Sequence, residues 1–225
     1  MTSDDDREDD FYDPQAARKK AQNVQTEPYK KIKRGDEVDL TRVDPAIQNA
    51  LVGIGWDFKK FDAALPDLDC SLFLLDKNDR TREDEDFVFY NNMTGCEGAV
   101  RHMGDSRTGA GEGDDETLTL DLRALPYDIV RVVFAVSIYD LDLNDNSFDM
   151  VRNVYFRLVS QETGMELFRY DLDEELAGAG TAIIIGTLER IGANWIFKAV
   201  GESVKGGLSV LAHRYGIIVA QQMQI

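Results

Sequence analysis

Residues 117–122 read Thr-Leu-Thr-Leu-Asp-Leu, a strict alternation of polar and apolar side chains. Successive side chains of an extended chain point to opposite faces, so this period of two predicts a strand with one face buried. The same kind of signal recurs in both directions. Upstream, Cys70–Leu75 (CSLFLL) and Phe87–Tyr90 (FVFY) are short, apolar and aromatic-rich. Downstream, Ile129–Tyr139 (IVRVVFAVSIY) is long and β-branched, which predicts a central strand. Val151–Val159 (VRNVYFRLV) and Met165–Leu172 (MELFRYDL) follow, on either side of a turn at Glu162-Thr163-Gly164. Ala182–Ile191 and Trp195–Val200 flank Gly192-Ala193-Asn194, a hairpin signal. Leu208–Tyr215 (LSVLAHRY), bracketed by Gly206-Gly207 and Gly216, is the best helix candidate. Eight to ten short strands at regular spacing predict an all-β fold. The expected form is a sandwich of two sheets with a short C-terminal helix and minor helical elements.

The chain has 225 residues, with 42 Asp and Glu against 25 Lys and Arg, and a formal net charge of −17. Such a field repels nucleic-acid backbones and anionic membranes, and favours cations or basic proteins as partners. No apolar run is long enough to span a bilayer, so no direct membrane insertion is expected. The acidic start, Met1-Thr2-Ser3-Asp4-Asp5-Asp6, is the opposite of a secretory signal, which predicts a cytoplasmic protein. Two cysteines, Cys70 and Cys96, make no disulfide framework, and two histidines, His102 and His213, allow no zinc-type spacing.

The charge is unevenly spread. Residues 1–34 hold eight acids and eight bases and read as a polar extension, with Asp13-Pro14 able to start a short helix over 15–22. Residues 57–121 hold 17 acids and seven bases, and the acids fill the connections between strands. The densest stretch, Gly104–Glu116, reads GDSRTGAGEGDDE. Its four glycines allow tight curvature, and its five carboxylates repel one another unless a cation compensates them. An all-oxygen donor set suits a hard cation, and so many carboxylates favour Ca²⁺ over Mg²⁺. The plain alternative is a solvated acidic loop. Asp67-x-Asp69 and Asp84-x-Asp86, each at a strand entrance, could add carboxylates on one side, and Asn91 and Asn92 could add amide oxygens.

Other chemistries fit less well. Asp140-x-Asp142-x-Asn144 opens like an EF-hand, but Asp145 stands where Gly is needed and Val151 where Glu is needed. Ser71, Ser137 and Ser209 lack the Gly-x-Ser-x-Gly context, and no phosphate-binding Gly-Lys-Ser/Thr loop occurs. His102, beside the acidic loop, reads as a structural hydrogen-bond partner, so no catalytic residue is assigned and no enzyme activity is expected. Two alternatives stay open: a metal-dependent hydrolase-like enzyme with His102 as base, and an acidic protein-interaction module that needs no metal.

Ordered segments along the chain resemble the TerD family, the tellurium-resistance and general stress proteins of bacteria. They are Gly55-Trp56-Asp57, Asp67-Leu68-Asp69-x-Ser71, Asp86-Phe87-Val88-Phe89-Tyr90-Asn91-Asn92, GDSRTGAGEGDDE, Ser137-Ile138-Tyr139-Asp140, Arg169-Tyr170-Asp171-Leu172 and Ala199-Val200-Gly201 followed by Gly206-Gly207-Leu208. The resemblance spans residues 30–216, leaving 1–29 as an N-terminal extension and 217–225 as a tail. It implies a β-sandwich that binds calcium through acidic loops and meets other stress-system proteins, reaching a membrane only through a partner. It implies Ca²⁺ ligands among Asp69, Asp84, Asp86, Asn91, Asp105, Thr108, Asp114, Asp115 and Glu116. Ser106 departs from the family's frequent Asn, and Asn146-Ser147-Phe148 from its Gln-Asn-Phe.

Overall fold

The computed structural model describes residues 30–59, 67–104, 113–139, 148–176, 178 and 180–218. Among them thirteen strands, numbered in chain order, form two sheets. The first sheet runs β1 (Lys30–Ile32), β11 (Glu166–Asp171), β10 (Val151–Ser160), β3 (Asn49–Phe58), β8 (Glu116–Asp121), β7 (Val100–His102) and β6 (Thr94–Gly95). The second runs β2 (Glu37–Asp39), β13 (Asn194–Val204), β12 (Ala182–Ile191), β9 (Arg131–Tyr139), β4 (Asp67–Leu75) and β5 (Phe87–Val88). Three short helices accompany them: α1 (Leu40–Val43), α2 (Asp173–Leu176) and α3 (Gly207–Arg214). This is the all-β sandwich that the alternation predicts.

The long β-branched run becomes β9, between β12 and β4. Val132, Phe134, Val136 and Ile138 enter the layer between the sheets. Val133 and Ala135 face the other way and join Phe73, Leu75, Ile184 and Leu211 in a second cluster that includes residues of α3. Burial on both faces explains why this run is continuously apolar where β8 alternates. Phe134, Phe156, Phe168 and Phe197 crowd the middle of the inter-sheet layer, with the Phe168 and Phe197 centroids 4.5 Å apart. Burying each such ring contributes about 1.5–3 kcal/mol.

Phe87–Tyr90 forms a shorter strand than its composition predicts, because Phe89 turns back to bridge Asn92. The helix expected over 15–22 lies outside the described residues. The alternation also predicts no strand over 49–58, where β3 forms the middle of the first sheet. Gly53 and Gly55 interrupt its apolar pattern and lower its strand propensity. Both glycines have a spatial cause. A Cβ at Gly53 would overlap the Asp114 carboxylate, and one at Gly55 would run into the Tyr155 ring.

The register fixes where the acidic connections attach. Phe58 of β3 stands opposite Val151, Asp67 of β4 opposite Tyr139, and Glu116 of β8 opposite Ile54. The described residues that flank 60–66, 105–112 and 140–147 therefore meet at one end of the sandwich.

Candidate functional site

Asp114, Asp115 and Glu116 close the glycine-rich stretch at that end, and each points a different way. Glu116 opens β8 facing inward. Its Oε2 accepts a hydrogen bond from Cys70 N of β4 at 2.6 Å, a staple from one sheet to the other. Asp115 is 5% exposed, and its Oδ2 accepts from Trp56 N of β3 at 2.8 Å. Burial raises its pKa to about 6; the Trp56 N–H opposes the rise, and the charges of Asp114 and Asp57 add to it. Asp114 turns out over Gly53 on the outer face of the first sheet. There Arg157 Nε donates to its Oδ1 at 2.8 Å and Nη2 to its Oδ2 at 2.7 Å, and Tyr155 OH donates to Oδ1 at 3.0 Å. The planar guanidinium fork matches the carboxylate, which makes this a bidentate clamp.

Asp69 lies on β4 opposite Ser137 of β9 and is buried. Leu68, Cys70 and Leu72 face the inter-sheet core, so the period of two puts Asp69 and Ser71 on the other face. Ser71 Oγ is fully buried there without a hydrogen-bond partner. On the inner side His102 Nε2 stands 3.7 Å from Glu116 Oε2, while Gly104 N donates to His102 Nδ1 at 3.2 Å. In the neutral ring, accepting at Nδ1 leaves the hydrogen on Nε2, toward Glu116. Burial pushes the Cys70 thiol well up, reinforced by the charges of Glu116 and Asp69, so it is no nucleophile at neutral pH.

Three of the expected ligands lie elsewhere. Asp86 is fully buried in the fork of Arg82, whose Nε and Nη2 each donate to it at 2.8 Å. Arg82 also pairs with Asp128, in the connection before β9, so this cluster sits toward the end of the sandwich away from Glu116. Asp84 is exposed on the 3-10 turn that carries Asp86. Asn91 is exposed at the β5 edge, where its neighbour Asn92 is the wired amide, donating to Phe87 O at 2.7 Å. Asp105 and Thr108 lie outside the described residues. The structure thus brings Asp69, Asp114, Asp115 and Glu116 to one end and sets Asp84, Asp86 and Asn91 apart. Among the described residues no group of three or more His, Cys, Asp or Glu is arranged to hold a metal ion. Arg157, Tyr155 and the Trp56 amide were not legible as parts of this end, because strand pairing alone brings them there. The only trace in the sequence is the pair of glycines in β3 that makes room for two of the side chains.

No helix among the described residues is long and apolar enough to cross a membrane. The TerD domain model matches residues 29–215. Tellurium resistance protein TerD of Serratia marcescens is 42% identical over 186 residues, covering 83% of this chain and 96% of that protein. General stress protein 16U of Bacillus subtilis (strain 168) is 42% identical over 189 residues, covering 84% and 97%. The solved structure of a homologue of telluride resistance protein (TerD) from Streptomyces coelicolor A3(2) matches with a TM-score of 0.62 at 22% identity. That match covers 74% of this chain and 96% of the other, and it bears on the fold. With a domain match across 29–215 and relatives at 42% identity over nearly their whole length, the chain belongs to the TerD family.

Proposed function

We propose that this chain is a calcium-binding stress-response protein associated with tellurite and chemical-damage resistance, a reading supported by relatives named for tellurium resistance and general stress. In this reading it works by docking partners and not by catalysis. Asp115 carries the reading: a buried carboxyl pushed to about 6, with Asp114 and Asp57 as negative neighbours. A carboxylate so placed is stabilised by a cation that shares it. Asp69, Asp115 and Glu116 lie at one end of the sandwich and offer only oxygen donors, the chemistry that suits a hard cation, while Asp105 and Thr108 lie outside the described residues. The buried, unpartnered Ser71 Oγ on the face of Asp69 is a further available oxygen. When bound, Ca²⁺ would offset the carboxylate charge and join several donors at one centre.

The chain's own residues hold the frame. Glu116 ties β8 to β4, Asp115 ties it to β3, and Asp114 is anchored outside. With the cation bound, the acidic end of the sandwich would be the surface offered to other stress-system proteins in the cytoplasm. Nucleic acid and direct membrane insertion have no part in this reading.

Calorimetric titration of the full chain with Ca²⁺ is expected to find at least one site, and chelation to lower the melting temperature. At a hundredfold excess over Kd, binding to the folded form alone adds about 2.7 kcal/mol. No heat and no shift in melting temperature would refute calcium binding. The second reading, a metal-independent docking module, draws support from the protein donors that Asp114, Asp115 and Glu116 already have. A calorimetric blank with an unchanged fold in chelator would favour it.

A further inference from the structure

Two adjacent aspartates of the acidic stretch, Asp114 and Asp115, look equivalent in sequence and are treated oppositely by the fold. Asp115 keeps to the end of the sandwich, with Trp56 N on one oxygen. Asp114 lies across the outer face of the first sheet, where both of its oxygens are taken by Arg157 and one also by Tyr155 OH. Its side chain is 5% exposed and that of Arg157 13%, so the pair is shielded from water. Arg157 is itself braced by Glu166, 3.0 Å from its Nη1. On the other side the Arg169 guanidinium lies 3.6 Å from the centre of the Tyr155 ring, and Asp171 holds Arg169 at 3.0 Å and Lys31 at 3.0 Å. Gly53 is the floor of this arrangement, since no other residue leaves room for the carboxylate.

We propose that Arg157 is a positioning residue for the cation site: it holds Asp114 away from the bound ion and thereby fixes where Asp115 and Glu116 present their oxygens. The proposal rests on the calcium reading above. Asp114 is not a ligand but the post to which the end of the glycine-rich stretch is tied, and the guanidinium is its permanent counter-charge. The two residues beyond the post then leave it in a set direction, one toward Trp56 N and the next toward Cys70 N.

Electrostatics alone makes the opposite prediction, which gives the test a sign. Deleting a positive charge near a cation site raises affinity by Coulomb's law. Losing a residue that orients the ligands lowers it, typically by about 10- to 100-fold. The test is Ca²⁺ titration of the full chain in four variants: Arg157→Met, Arg157→Lys, Gly53→Ala and the double variant Asp114→Asn with Arg157→Met. Gly53→Ala evicts the Asp114 carboxylate with one methyl group and changes no charge. Arg157→Met and Gly53→Ala are expected to weaken Ca²⁺ binding by about 10-fold or more, with Arg157→Lys weakening it less. Asp114→Asn combined with Arg157→Met is expected to bind no more weakly than Arg157→Met alone. Unchanged or tighter binding in Arg157→Met and Gly53→Ala overturns the proposal. So does a further loss when Asp114→Asn is added to Arg157→Met, since that identifies Asp114 as a ligand.

Amide hydrogen exchange in chelator separates this outcome from failure of the calcium reading. If the wild type takes up no Ca²⁺, the calcium reading falls, and exchange at residues 115–117 decides whether the clamp positions this segment. Those amides are expected to exchange about 10-fold faster in Gly53→Ala and Arg157→Met, with β9 amides unchanged and Arg157→Lys partly restoring protection. Unaltered protection at 115–117 overturns the positioning role.

Discussion

Replacing Asp86 with alanine separates a structural carboxylate from a metal ligand. Asp86 is 0% exposed. Its Oδ2 accepts from Arg82 N at 3.0 Å and from Arg82 Nε at 2.8 Å, and its Oδ1 accepts from Arg82 Nη2 at 2.8 Å. The Cys96 thiol adds a weaker contact at 3.6 Å. Alanine leaves the guanidinium with Asp128, a residue whose side chain is 61% exposed, and with the Cys96 sulfur at 3.3 Å. Removing one member of a fully buried pair costs about 3–5 kcal/mol; here the Arg82 side chain keeps 24% exposure and can partly rehydrate, so about 2–3 kcal/mol is expected. In a chain of this size each kcal/mol moves the melting temperature by about 2–4 °C, so Asp86→Ala is expected to lower it on the order of 10 °C. Calorimetric melting in excess calcium and in excess chelator should show the same drop, since the cluster lies away from Glu116 and Asp115. Adding Arg82→Met should recover part of the loss by removing the stranded guanidinium. A drop below about 2 °C, or one seen only in calcium, would refute the structural assignment and return Asp86 to the ligand set.

Further expectations test other parts of the molecule. Burial pushes the Asp115 carboxyl up to about 6, above the usual 3.8 of an aspartate, so its ionisation opposes folding. In chelator its contribution to stability is greatest at acid pH and falls as pH rises from about 4 through about 6; urea melts of Asp115→Asn should lack that fall, and a fall of equal size in the variant would clear Asp115. Phe197→Ala empties the middle of the core and is expected to cost about 3–5 kcal/mol by denaturant melts. Tyr127→Ala, at a side chain 94% exposed, is expected to change stability by less than about 0.5 kcal/mol in the same assay. Gly186→Ala drives a Cβ into the Phe197 ring and Lys198 O, and a loss of about 1–3 kcal/mol in the same melts is expected.

The sequence made strands legible wherever one chain segment carries its own reason for being a strand. β8, β9 and β12 do so through alternation or β-branched content, and α3 through its flanking glycines. β3 does not, because the reason for its glycines is a carboxylate and a ring that arrive from residues 114 and 155. β1, β2, β6 and β7 have only two or three residues each, too few to show a period. The candidate site was legible as a density of acids and not as a set of directions. Nothing local distinguishes Asp114 from Asp115; their difference is set by which neighbours β3 and β10 bring. Asp86 carried a local hint in Arg82, four residues before it, but their pairing depends on a 3-10 turn over Asp84–Asp86 that the acid-rich pattern concealed.

The net charge of −17 therefore contains carboxylates of different kinds. Many act as hydrogen-bond acceptors for backbone that the sheets leave unpaired. Glu162 takes the amides of Gln48 and Asn49, Asp173 those of Asn153 and Val154, and Asp121 those of Arg123 and Ala124. Burial pushes Glu162 up, but the hydrogen bonds from Gln48 and Asn49 outweigh it and hold the carboxyl below its usual range. Burial likewise acts on Asp44, where bonds from Ser160, Thr163 and the Ala46 amide prevail. A carboxyl lowered in the folded state adds stability above its unfolded pKa and loses it as pH falls through the folded value. Asp115 runs the other way, gaining nothing from ionisation until something positive shares its charge. The two kinds thus bound the metal-free protein from opposite sides, Glu162 and Asp44 losing their contribution in acid and Asp115 costing stability toward neutrality. A cation that removed the second limit would leave the first untouched. Calcium is therefore expected to raise stability near neutral pH and to do little at low pH, where Asp115 is protonated in any case.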